Sequence, residues 1–210
     1  MNSLFPLLAR LAARLLLRLT VRGVENVPLS GAVLLTMNHL GGADPILVVG
    51  YTPRRLAVVG KAEILGWPVV NLVVRAYGMV PVRRGEPDRA TLQRLLAVLA
   101  AGQALLIAPE GRESHTGQLE AGKNGPAFLA QHGRVPVLPV AITGTAWKQV
   151  LPEWRRARRP CVTLTFGQPY TLAPGLDRAA AVREIMRRLA ALLPPEYRGV
   201  YADDIASAGA

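Results

Sequence analysis

A chain of 210 residues, half of them hydrophobic, suits one globular domain with a sizeable core. Its single cysteine, Cys161, rules out an intramolecular disulfide and any cysteine-based metal site, which fits a reducing, cytoplasmic setting. The formal charge of +11 comes almost wholly from arginine, and with 5% aromatic residues and no recognisable nucleic-acid module it points to an anionic lipid surface and not to nucleic acid.

In chain order, residues 1–20 read as an amphipathic helix. Its apolar body is leucine-rich, and Arg10, Arg14 and Arg18 recur every fourth residue as a basic stripe. No apolar run approaches the ~20 residues that span a bilayer, and no arginine precedes the segment as in a secretory signal, so the helix is expected to lie in the membrane interface. The domain proper is expected over 21–200. Apolar Ala32 to Met37 reads as a buried strand that releases Asn38, His39 and, four residues on, Asp44. Asp44-Pro45 before Ile46-Leu47-Val48-Val49 also has the form of a helix N-cap.

Three further apolar segments end in the same way. Met79–Val82 runs into Arg83-Arg84-Gly85, Ala104–Ala108 into Pro109-Glu110-Gly111-Arg112, and Val137–Ile142 into Thr143-Gly144-Thr145. In a parallel sheet these ends share one edge, so a base, carboxylates, guanidinium groups and Gly-containing turns converge on one crevice. Helical patterns at 87–101, 122–131 and 177–193 alternate with the strands and predict an α/β fold with helices on both faces. Between Val137–Ile142 and a strand over Val162–Phe166 lie Trp147, Trp154 and the cluster Arg155-Arg156-x-Arg158-Arg159. An interfacial aromatic pair with adjacent cations is one reading of that stretch, and a solvated charge run the other. Cys161 is expected as a small core residue, His115 and His132 on the surface, and residues 201–210 as a frayed tail. The three histidines form no His-x3-His pair, and no metal site is expected.

Four blocks stand in order: Asn38-His39-x4-Asp44, Gly78-x5-Arg84, Pro109-Glu110-Gly111, and Val135-Pro136-Val137-Leu138-Pro139-Val140. Together with Gly60-Lys61-Ala62-Glu63-Ile64-Leu65-Gly66 they resemble the glycerolipid acyltransferase family, to which 1-acylglycerol-3-phosphate acyltransferases belong. The resemblance implies a mixed, mostly parallel central sheet flanked by helices. It implies His39 and Asp44 as the catalytic pair, Arg84, Glu110, Gly111, Arg112 and Lys123 around an acceptor phosphate, and Asn38, Lys61, Gly78 and Pro139 as further site positions. The activity implied is transfer of a fatty acyl group to a lysophospholipid hydroxyl in phospholipid biosynthesis. No cofactor is implied, the donor being acyl-CoA or acyl-carrier protein, and the setting is the cytoplasmic face of a membrane, bound peripherally.

One departure matters. Where the family's third block continues Glu-Gly-Thr-Arg-Ser, this chain has Glu110-Gly111-Arg112-Glu113-Ser114, so a carboxylate replaces a cation associated with the acceptor's phosphate. Other acceptors without phosphate, hydrolysis of an acyl ester or thioester, and a non-catalytic lipid-binding role are the alternatives. A nucleophilic Ser114 or Thr143 would require the fold to bring it to His39, and neither sits in a Gly-x-Ser-x-Gly elbow.

Overall fold

The computed structural model describes residues 4–61, 79–82 and 89–206. Seven strands form one sheet: β1 (Arg18–Arg22), β2 (Val33–Met37), β3 (Leu56–Lys61), β4 (Met79–Val82), β5 (Ala104–Ile107), β6 (Val137–Thr143) and β7 (Cys161–Phe166). Their order is β1-β7-β6-β2-β5-β3-β4. The five strands from β6 to β4 run parallel, whereas β7 pairs antiparallel to β6 and carries β1 parallel to itself. The sheet is therefore mixed and mostly parallel, as the resemblance implies. The C-terminal ends of β2 to β6 share one edge, where the chain also enters β1 and β7.

Both faces of the sheet are covered, which is why the central strands read as continuous apolar runs instead of alternating. Val33, Leu35 and Met37 of β2, Leu106 of β5 and Val140 and Ile142 of β6 pack into one cluster with α2 (Asp44–Tyr51) and the edge of α1 (Leu4–Leu16). Leu34 and Leu105 face the opposite way, into a second cluster with α3 (Arg89–Ala100), α4 (Asn124–Gly133) and α6 (Arg178–Ala191). A third cluster joins α6 to Leu119 and the C-terminal segment. Among the described residues, the remaining α-helices are α5 (Trp147–Arg155) and α7 (Ala202–Ala206). No helix among the described residues is long and apolar enough to cross a membrane.

The structure differs from expectation at both ends. The first helix stops at Leu16, and Arg18-Leu19-Thr20-Val21-Arg22 alternates exposed and half-buried residues along β7, so period two prevails there over the leucine count. The expected frayed tail is ordered as far as Ala206. Tyr201 and Ile205 pack on the third cluster, the Tyr201 hydroxyl accepts from Gly122 N–H, and Asp204 pairs with Arg183. Cys161 is exposed at the start of β7, because in the strand's alternation Val162, Leu164 and Phe166 take the inward positions. His115 and His132 are exposed, the latter stacked on Phe128 at 4.0 Å between ring centroids.

Candidate active site

β2 ends at Met37, and Asn38 continues its pairing through a side chain. The Asn38 amide donates to Ile142 O and accepts from Ile142 N–H, both at 2.8 Å, so the chain stays pinned to β6 for one more residue and delivers His39 at the sheet edge. The His39 main chain is held on both sides: its N–H donates to Glu110 Oε1 at 3.3 Å, and its carbonyl accepts from Ser114 N–H at 2.7 Å. Segments after β2 and β5 thus interlock around the imidazole.

Asp44 is not the side-chain cap that Asp-Pro suggested. It is the first residue of α2, whose N-cap is Ala43, and its carboxylate turns back into the preceding loop. Oδ2 accepts from Leu40 N–H at 2.6 Å and Gly41 N–H at 2.9 Å, and lies 3.0 Å from His39 Nδ1. Asp44 is fully buried and the His39 side chain is 12% exposed. An aspartate acceptor fixes the proton on Nδ1, leaving the Nε2 lone pair facing outward and able to take a proton. Gly41 permits the arrangement. A Cβ there would lie 2.6 Å from Thr145 O, so only glycine lets this loop close against the loop that leaves β6.

Glu110 is buried, with Oε1 toward His39 N–H and Oε2 accepting from Glu120 N–H at 2.9 Å. Burial pushes its carboxyl up to about 7, against the opposing pull of those two backbone donors. Its geometry is that of a brace between two loops. Arg112 is committed elsewhere: Nε and Nη2 both donate to Glu120 Oε2, at 3.1 and 2.6 Å. Glu113 takes the place beside the base, its Oε1 3.9 Å from His39 Nε2. The sequence marked Glu113 only as a departure from a pattern, and its approach to the imidazole is new.

Gly111 lies next to Lys123, whose side chain is exposed and whose N–H donates to Pro109 O at 2.8 Å. Pro139, grouped with the site by resemblance, belongs instead to the interior of β6: it pairs with Thr36, and its carbonyl accepts from Gly167 N–H. Lys61 ends β3 at the site edge, but its side chain lies outside the described residues, as do Gly78 and Arg84. The Ser114 hydroxyl turns away from His39, donating to Gln118 O at 2.6 Å. Among the described residues, no serine, threonine or cysteine hydroxyl or thiol is recorded in contact with the imidazole, and no three metal-ligating side chains gather. The arrangement can accept a proton from a bound hydroxyl without forming an enzyme ester.

A family model described as Acyltransferase matches residues 18–143, which contain His39, Asp44, Glu110 and Glu113. Over 131 residues the chain is 27% identical to a 1-acyl-sn-glycerol-3-phosphate acyltransferase of Borreliella burgdorferi, covering 61% of this chain and 52% of that protein. Over 147 residues it is 34% identical to a lyso-ornithine lipid O-acyltransferase of Pseudomonas aeruginosa, covering 65% and 51%. The chain thus spans about half the length of these curated relatives. The fold is that of the 1-acyl-sn-glycerophosphate acyltransferase crystal structure from Thermotoga maritima, with a TM-score of 0.72, 23% identity, and coverage of 88% of this chain and 74% of that one.

Proposed function

The chain belongs to the acyltransferase family, and from that premise we propose that it moves a fatty acyl group from a thioester to the hydroxyl of a lysolipid, with 1-acylglycerol-3-phosphate as acceptor. The observation that carries the reading is the His39–Asp44 pair, 3.0 Å apart, with Nε2 on the outward side of the imidazole. As the acceptor oxygen attacks the thioester carbonyl, its proton passes to Nε2, and Asp44 offsets the charge that the imidazole gains. Collapse of the tetrahedral intermediate breaks the C–S bond, and the leaving thiolate takes that proton. The thioester is already activated, so the reaction needs neither a resident cofactor nor an enzyme nucleophile.

The oxyanion of the intermediate requires donors. Gly41 N–H is spent on Asp44 and Gly111 N–H on Ala108 O, whereas Gly42 N–H has no acceptor recorded among the described residues. Gly42 is the donor we assign. Its N–H stands in the same loop as the base.

A second reading of the acceptor is favoured by Glu113. A carboxylate 3.9 Å from Nε2 repels a phosphate brought to that nitrogen and attracts an ammonium group, and Arg112, paired with Glu120, does not replace the missing cation. The 34% identical relative is named for a lipid built on ornithine, a basic amino acid. Incubating the protein with acyl-CoA or acyl-carrier-protein thioesters and a panel of lysophosphatidate, monoacylglycerol and amine-bearing lysolipids, with products resolved by mass, tests both readings. Acylated lysophosphatidate supports the first. Transfer confined to amine-bearing acceptors replaces it with the second, and free fatty acid as the sole product overturns acyl transfer.

A further inference from the structure

Helix α1 is amphipathic in an unusual sense, because small residues do the packing. Ala9 and Ala13 are its buried positions, and Ala9 Cβ would stand 3.2 Å from a Cβ placed on Gly50, so α1 lies close upon α2. Arg10 points inward, donating to Gly50 O and resting over the Tyr51 ring at 5.7 Å. It is therefore not part of an outward basic stripe, and Arg18 belongs to β1. What α1 presents to solvent is leucine: Leu4, Leu7, Leu8, Leu11, Leu15 and Leu16, each more than half exposed.

Helix α5 continues that surface. Trp154 Nε1 donates to Leu16 O at 3.1 Å and Arg159 Nη1 to Arg14 O at 2.9 Å, so two carbonyls at the C-terminal end of α1 are closed by groups from the α5 region. Trp147, 60% exposed, meets Trp154 edge-on at 6.3 Å, and Leu151 is exposed on the same helix. Around this apolar face stand exposed Arg14, Arg155, Arg156, Arg158 and Arg159, and Glu153 pairs with Arg156 among them. Two clefts open at the seam and share Arg18 and Arg159. One, of about 730 Å³, also has Arg158, Glu153 and Tyr197 in its wall; the other, of about 450 Å³, has Arg14 and Tyr51.

We propose that α1 and α5 form a single docking face for an anionic bilayer, with leucines and tryptophans entering the headgroup region and lipid phosphates seated in the arginine clefts. Exposed tryptophan with a ring of guanidinium groups matches that boundary, since indole prefers the interface and arginine forks onto phosphate. The charge complementarity commits the face to a bilayer and not to a second copy of this chain, which would oppose like charges across a two-fold contact. The face adjoins the candidate active site. Thr145, two residues before α5, carries the carbonyl that Gly41 approaches, and exposed Ile46 lies two residues after Asp44. This proposal is independent of the acyl-transfer chemistry.

Co-sedimentation of the full chain with phosphatidylcholine vesicles, with and without phosphatidylglycerol, at several salt concentrations tests it. Trp147→Ser with Leu151→Ser is expected to lower partitioning onto phosphatidylglycerol vesicles about tenfold, as Leu7→Ser with Leu11→Ser does. Arg158→Glu is expected to lower it about tenfold while leaving phosphatidylcholine binding unchanged, and to flatten the salt dependence. In a Trp67→Phe background, where only Trp147 and Trp154 emit, phosphatidylglycerol vesicles should shift the fluorescence to shorter wavelength, a readout that does not depend on the folding of the α5 variants. An unshifted spectrum overturns the proposal. So does undiminished partitioning of the α5 variant, or a dimer that this variant converts to monomer without losing vesicle binding.

Discussion

At the scale of single residues, the pair His39 and Asp44 was legible because a base and a carboxylate after a buried strand are distinctive together. The spacing could not say that Asp44 reaches backward with one oxygen to three donors. That detail changes what its replacement does. Asp44→Ala leaves the buried N–H groups of Leu40 and Gly41 without an acceptor, costing about 1–3 kcal/mol each in thermal or denaturant unfolding, whereas Asp44→Asn keeps an acceptor and costs mainly turnover. His39→Ala, with the imidazole partly exposed, should retain the melting temperature and lose roughly 10²–10⁴-fold in transfer rate. Unchanged turnover in the folded His39→Ala protein would falsify the proposed base. At Glu113 the outcome depends on the acceptor: Glu113→Arg should lower KM for lysophosphatidate, and should damage activity where the acceptor carries an amine. Competition between the two acceptors, measured in wild type and variant, reads the change directly.

At the scale of elements, the strands buried on both faces, β2, β5 and β6, were visible as apolar runs, and half-buried β4 and alternating β7 also stand where strands were read. The edge strand β1 was hidden, because Leu17 and Leu19 extend the leucine pattern of α1 and only pairing with β7 separates the two. Helix α5 was obscured by Pro152 and a run of arginines, and its partner, the last turn of α1, is over a hundred residues away. Such pairings are tertiary facts with no local signal. The approach of the loops after β2 and β6 belongs to this scale. In Gly41→Ala the new methyl group meets the Thr145 carbonyl at 2.6 Å, closer than a Cβ can approach backbone, so one loop must move. The expected result is a loss of about 1–3 kcal/mol in stability with a fall in turnover, whereas Gly175→Ala, with open space around it, should leave turnover intact and cost only its left-handed backbone strain.

At the scale of the whole molecule, α/β alternation foretold a sheet with helices on both sides, but not that β7 reverses against β6 and brings β1 back beside it. That reversal turns the start of β1 and of β7 toward the same edge as the candidate active site, so the arginine clefts and the base share one side of the molecule. A property of the fold as a whole also rests on one group at this edge. Glu110 has a folded carboxyl pKa of about 7, against an ordinary value of 4.5, because burial disfavours its charge more than two backbone donors favour it. Between those values the folded state binds a proton that the unfolded chain has released, so its contribution is fully present below about pH 4.5 and is lost as pH rises through about 7. The slope is at most about 1.4 kcal/mol per pH unit within that window. Glu110→Gln abolishes the titration while keeping an oxygen for His39 N–H, although its amide opposes the Glu120 N–H and lowers stability at every pH. Melting temperatures of the two proteins measured from pH 5 to 8 should therefore converge as pH rises, the wild type falling toward the variant. Parallel curves across that range would show that Glu110 is charged throughout in the folded protein, held as an ion by its two backbone donors.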